Sequence, residues 1–309
     1  MRRMSFPIAV LCLTGTALVP GRGAAQEIEP RAYSPSPADV TFLLLGGGQS
    51  TGNVLTDPSL PVGDVDAEVN AGVLGLGHTF GLFGRLASIA IAQSFLSAHF
   101  EGTLDGEPAE ASRSGIGDTK LRLAMNLAGN PAMTAAEFAR RKPETTFGAS
   151  LTVSAPTGEY HPAWLINVGT NRWALKPEIG VSHPVGPWHL EAAAGVWLFE
   201  DNDDFFGGKH REQDPLASIQ GHVSYTFRPR LWLGVNATYY NGGRTTVDGV
   251  RKDDRQSSSR YGLTLSLPLA RSQSLKFYWN DGATARIGSD FTTWGVAWQY
   301  THMRRRGST

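Results

Sequence analysis

Apolar and polar residues alternate along most of this chain. Leu231, Leu233, Val235, Ala237 and Tyr239 fall on one face of an extended segment, and Trp232, Gly234, Asn236 and Thr238 on the other. A period of two marks a strand. Tyr261, Leu263, Leu265, Leu267 and Leu269 alternate in the same way with Gly262, Thr264, Ser266 and Pro268. So do Trp173, Leu175, Pro177, Ile179 and Val181 with Ala174, Lys176, Glu178, Gly180 and Ser182. Carried along the chain, the pattern predicts about 12 strands, at 38–48, 66–79, 85–99, 115–129, 144–156, 171–183, 187–200, 215–228, 230–241, 258–270, 274–285 and 290–302.

Such strands suit a soluble sandwich as well as a membrane barrel, so the connections arbitrate. Long polar links at 49–65, 102–114, 157–170, 201–214 and 242–257 alternate with short ones at 80–84, 184–186, around Pro229 and at 270–273. Long loops on one side, tight turns on the other and an even strand count predict an all-β fold, a transmembrane antiparallel up-and-down barrel. Segments of about 10 to 14 residues also exceed the ordinary globular strand and, when tilted, cross a hydrocarbon layer. Aromatic residues near the predicted strand ends form two expected girdles: Trp188, Tyr225, Phe227, Trp232, Trp298 and Tyr300 at the short turns, and Trp173, Trp197, Phe199, Tyr239, Tyr240, Phe291 and Trp294 at the long loops. The connection at 130–142 is longer than the other short turns. There Thr134, with Glu137 three residues on, has capping-box spacing and predicts a brief periplasmic helix.

The two ends of the chain add an address. Arg2 and Arg3, an apolar run and the small residues Gly23, Ala24 and Ala25 read as a cleaved signal peptide over 1–25. The barrel is expected over 26–302, with a short basic periplasmic tail over 303–309. Cys12 is the only cysteine and lies in the signal segment, so no disulfide is expected. Of 28 basic residues, Arg2, Arg3 and Arg22 leave with the signal, so 25 face 28 acids, a balance of −3 that gives no reason to expect nucleic-acid binding. No mature segment is apolar long enough to span as a helix. Thr293, Gly295, Trp298 and Tyr300 resemble the C-terminal signal read by the outer-membrane assembly machinery, although THMRRRGST follows.

Five stretches together carry a family resemblance: EPRAYSPSPADVTFL, DPSLPV, INVGTNRWALKPEIGVS, DNDDFFGGKHREQDP and YYNGGRTTVDGV. Through them the mature chain resembles, almost from end to end, the MetA-pathway-of-phenol-degradation family of exported β-barrels. That resemblance implies outer-membrane passage of small hydrophobic or aromatic compounds; separately, no cofactor is expected. The alternative is a structural or adhesive barrel without solute flux.

Within a barrel, Lys120, Arg122, Lys176, Glu178, His189, Glu191, His222 and Lys276 are expected to line the lumen. A Lys or Arg on the lipid face near midplane costs about 2 to 4 kcal/mol. Catalysis has little to build on: His99 and His183 lack surrounding motifs, and Asp203, Asp204 and His210 form the sole protease-like set. In the external link at 201–214, Asp201, Asp203 and Asp204 offer oxygens to calcium but lack EF-hand spacing. Phe205 and Phe206 are the candidate gate, beside the glycines that let the chain reverse.

Overall fold

The computed structural model describes residues 30–55, 62–104, 106–284 and 288–303. The predicted signal segment lies outside these, as does all of the predicted tail except Met303. The elements in chain order are β1 (Val40–Leu55), β2 (Val62–Leu82), β3 (Arg85–Leu104), β4 (Glu107–Ile116), β5 (Thr119–Ala128), α1 (Ala135–Arg140), β6 (Thr146–Ala155), β7 (Ala174–Val185) and β8 (Trp188–Phe199). They continue as β9 (Asn202–Phe205), β10 (Lys209–Gln213), β11 (Leu216–Arg228), β12 (Leu231–Gly242), β13 (Thr245–Val247), β14 (Val250–Arg251), β15 (Gln256–Ala270), β16 (Gln273–Thr284) and β17 (Gly288–Met303).

Every barrel pairing is antiparallel, and β1 pairs with both β2 and β17, which closes the wall. β4 and β5 cover successive lengths of β3 and act as one broken stave, so the barrel has 12 staves. At the break Gly117 N donates to Ser94 O at 3.0 Å and Gln93 Nε2 to Gly117 O at 2.7 Å, which satisfies the interrupted ladder. The predicted helix is present: Glu137 N donates to Thr134 Oγ1 at 3.3 Å and Thr134 N to Glu137 Oε2 at 2.8 Å. That reciprocal cap stabilises a one-and-a-half-turn helix by about 1 kcal/mol. At the β2–β3 turn, Phe83 and Gly84 both have positive φ, 49° and 74°, the geometry that matches the twist of a tight hairpin.

The tilted wall continues beyond the membrane on the β1–β4 side. β2 and β3 run for 21 and 20 residues, about twice what a crossing requires. At their outer ends Asp66, Glu68, Asn70, His99 and Glu101 face outward into water while Val65, Ala67, Val69, Ala98 and Phe100 face inward. The segment 102–114, read above as a loop, is therefore mostly paired strand. Its polar composition reflects the solvent outside the wall and not an irregular backbone. Similarly, 201–214 and 242–257 each hold a short hairpin, and these join as a sheet in the order β14-β13-β10-β9 above the barrel.

The aromatic girdles need correction. Trp173, Trp188, Trp294, Phe227, Tyr239 and Tyr300 do face outward, but Trp197, Trp232, Tyr240 and Phe291 are buried inside the barrel. Strand parity explains it: Trp232 is in phase with buried Asn236 and Thr238, and Trp197 with Glu191. An aromatic residue near a strand end goes where the pleat points it.

Candidate functional site

The lumen is asymmetric. Facing inward from β2, β3 and β17 are Val65, Ala67, Val69, Leu96, Ala98, Phe100 and Phe291, joined by Ile166 and Val168 from the loop between β6 and β7. Lower on the same side lie Leu44, Val73, Ala92 and Ala297. This apolar track was not singled out in the sequence. Its signal is present as alternating small aliphatics in VDAEVNAGV, opposite carboxylates that stand above the lipid.

The other side of the lumen is polar. Lys176 Nζ meets Glu178 Oε2 at 2.7 Å, with both side chains buried. Gln220 Nε2 donates to the same carboxylate at 3.3 Å. His222 Nδ1 lies 2.9 Å from Asn236 Oδ1, and Asn236 Nδ2 donates to Thr264 Oγ1 at 3.0 Å. Lys120 and Lys176 place their ammonium groups 5.5 and 5.9 Å from the Trp197 ring centre. Lys276 is buried on β16, where its Nζ finds no hydrogen-bond partner among the described residues.

A segment preceding β1 occupies this polar side. Arg31 N donates to Glu191 Oε2 at 2.6 Å, and its guanidinium donates to Ser224 Oγ at 3.1 Å and Thr226 Oγ1 at 2.7 Å while covering the Trp232 ring at 4.5 Å. Arg31 Nη2 also lies 3.5 Å from His189 Nδ1. Tyr33 OH donates to Glu178 Oε1 at 3.0 Å, and Ser34 Oγ to Glu191 Oε1 at 3.1 Å. The Tyr33 ring lies flat against Gly148 and Gly180, where any side chain would overlap it, and Arg122 stands 5.5 Å from the ring centre. At the α1 end of the barrel Ala38 N donates to Met133 O at 2.8 Å, which ties the segment to the connection carrying α1. Thus Arg122, Glu178, His189 and Glu191 converge on residues 31–34, a placement not expected from the sequence. The available hint was Pro30, Pro35 and Pro37, which disfavour regular structure while leaving Arg31 and Tyr33 as ready anchors.

The outer end is also covered. Buried Asp118 accepts from Gly158 N at 2.9 Å, Thr170 N at 3.0 Å and Thr170 Oγ1 at 2.6 Å, which pulls the 156–173 loop inward. Gly158 and Gly169 cross so closely that a Cβ on Gly158 would lie 2.7 Å from Gly169 Cα. Between this loop, the β9–β10 hairpin and the wall is a cavity of about 60 Å³ lined in part by Trp197, Phe199 and Phe205. An apolar cavity of about 150 Å³ holds one benzene, so this one is closed to an aromatic solute. Phe205 is buried beneath the hairpin with Arg211 5.0 Å from its ring centre, whereas Phe206 is 38 % exposed with Lys209 at 5.7 Å.

The three aspartates of the hairpin do not surround a common point. Asp203 Oδ1 lies 2.6 Å from His210 Nδ1, and Asp201 Oδ2 3.8 Å from His210 Nε2, with Glu212 Oε1 at 3.4 Å. Among the described residues no group of three acidic, His or Cys side chains is arranged to hold a metal ion. The His210 imidazole stands among Asp201, Asp203 and Glu212, where calcium was expected. Asp203 above all holds the His210 pKa above its ordinary range.

Residues 45–295 match the profile of the family described as "Putative MetA-pathway of phenol degradation". Among solved structures, an outer membrane channel from Pseudomonas putida F1 superposes with a TM-score of 0.76 at 22% identity, covering 89% of this chain and 100% of that one. The TodX monoaromatic hydrocarbon channel has a TM-score of 0.47 at 11% identity, covering 89% and 93%. The beta domain of the Bordetella autotransporter BrkA has 0.48 at 10%, covering 85% and 99%. No curated protein matches the chain.

Proposed function

Since the chain belongs to the MetA-pathway of phenol degradation family, we propose that it is an outer-membrane channel for small hydrophobic or aromatic compounds, described here in a closed conformation. The observation that carries this reading is the apolar track of β2, β3 and β17, continuous with Ile166 and Val168 of the inward loop. A barrel built only as a scaffold has no need of an apolar stripe facing its own lumen, and a porin for polar solutes would avoid one. The polar side, with Lys120, Arg122, Lys176, Glu178, His189, Glu191 and His222, braces the wall and seats the 31–34 plug. Lys276 contributes positive charge farther round the lumen.

Phe205 and Phe206 serve as the outer gate: Phe205 closes the cavity roof, and Phe206 offers an exposed ring to an arriving apolar solute. The bilayer itself is a partner, and β17 presents Trp298 and Tyr300 for insertion by the assembly machinery. We assign no catalytic role to Asp203, Asp204 and His210, which lie on the exposed hairpin.

Uptake into vesicles carrying the barrel tests this with toluene, phenol and benzyl alcohol as solutes. The expected result is flux above empty vesicles, raised about threefold or more by Phe205→Ala/Phe206→Ala, since deletion of both rings unblocks the cavity roof. No flux of any solute, in either protein, together with lost surface adhesion on loop trimming, supports a structural or adhesive barrel instead.

A further inference from the structure

The cavity under the outer loops is chemically one-sided. Lys120, Arg172 and Arg211 line it, and among its described lining residues none is Asp or Glu. Two of its lining residues carry unspent donors: Arg172 Nη1, beside the Nη2 that donates to Gln213, and Trp197 Nε1 are buried and without hydrogen-bond partners among the described residues, on residues 6 % and 2 % exposed. Leaving such donors unmatched is costly, more so for a charged group, so a solute that accepts from both is favoured here. Its donors sit on a ladder of rings. The Arg172 guanidinium lies 4.6 Å from the Phe199 centre, Phe199 stacks on Trp197 at 6.4 Å, and Lys120 stands 5.5 Å beyond. The nearby acid Asp118 is engaged by Gly158 and Thr170, and Asp201 is half exposed beside His210.

We infer that this cavity is a binding site for aromatic carboxylates, whose carboxylate takes the donors of Arg172 and Trp197 and whose ring displaces Phe205 from the face of Arg211. A planar guanidinium fits a carboxylate and stacks on an arene, so the Arg172 and Arg211 pair recognises both ends of such a solute. Burial lowers the Arg172 pKa to about 10, with Asp201, Asp118 and Tyr160 opposing, so the group is cationic at neutral pH. The void of about 60 Å³ accepts the head group alone, and the ring enters only where Phe205 now lies. The inference rests on the channel reading for its solute class, but the site makes a binding prediction independent of flux.

The test uses the full-length barrel, with heat-modifiable gel migration as the folding check. Calorimetry measures benzoate and benzyl alcohol binding in detergent, and vesicles report the flux of both. Benzoate is expected to bind more tightly than benzyl alcohol, by about tenfold, a margin typical of one buried charge-assisted contact. Arg172→Gln should erase that margin. Trp197→Phe, which keeps the ring and removes the donor, should narrow it and serves as the second variant should Arg172→Gln fail to fold. Benzyl alcohol flux without any benzoate preference overturns the site and leaves the channel standing. Benzoate binding without flux of either solute keeps the site and overturns the channel. Equal loss of both solutes in Trp197→Phe assigns the residue a structural role and overturns the inference.

Discussion

Lys176 and Glu178 lie two positions apart on β7, so the pleat places them on one face whatever surrounds them. What surrounds them determines their energetics. Both side chains are almost fully buried at 2.7 Å separation, and Glu178 also accepts from Tyr33 and Gln220. Removing one partner strands a charge in a low-dielectric lumen, so Glu178→Gln should lower unfolding stability by about 3 kcal/mol in urea titrations of the refolded barrel. Lys176→Met/Glu178→Gln should cost less than the single change. A double variant weaker than Glu178→Gln contradicts this account. The period of two makes this residue pair legible, and Lys120 and His222 are buried like it. The pattern did not mark Arg172 or Trp197 as site residues: the first falls in the predicted strand 171–183 but lies just before β7, and the second was assigned to a girdle by its nearness to a strand end.

At the scale of elements, the β9–β10 hairpin carries both gate rings and a titratable clasp. His210 meets Asp203, Glu212 and Asp201 through its ring, and its backbone N–H donates to Asp248 at 2.9 Å. The hydrogen bond that the His210 ring donates to Asp203 raises the His210 pKa above 6.5, against a smaller opposing effect of burial. A raised histidine pKa stabilises the hairpin fully below 6.5, where the unfolded imidazole is also protonated, and that contribution is lost as pH rises through the folded value. Imidazole NMR titration should therefore give a His210 midpoint above 6.5, and Asp203→Asn should move it down. An identical midpoint in the variant removes Asp203 as the cause. The helix at 135–140 and the alternating strands were readable because their signals are local: a cap three residues from its partner, and a period of two. The hairpins above the barrel were not, because short strands of charged residues resemble loops until a neighbouring strand supplies their hydrogen bonds.

For the whole molecule, the barrel and its plug are separable. The wall closes through β1 and β17 without using residues 30–38, whereas the plug is held by side-chain contacts to Glu178, Glu191, Ser224 and Thr226. Deleting 30–38 is expected to leave a folded, heat-modifiable barrel and to raise single-channel conductance in planar bilayers by about twofold or more, since an obstructing segment leaves an aqueous lumen of this strand number. Unchanged conductance would place the constriction at the outer loops alone. Strand number, order and the short helix follow from the sequence by itself, because each depends on neighbours a few residues away or on the solvent that each face must meet. The occupied lumen, the closed outer cavity and its acid-free set of donors depend on contacts between residues such as Arg31 and Thr226 or Arg172 and Gln213. Only closure of the barrel brings those pairs together, and nothing in their local sequence specifies the distance between them.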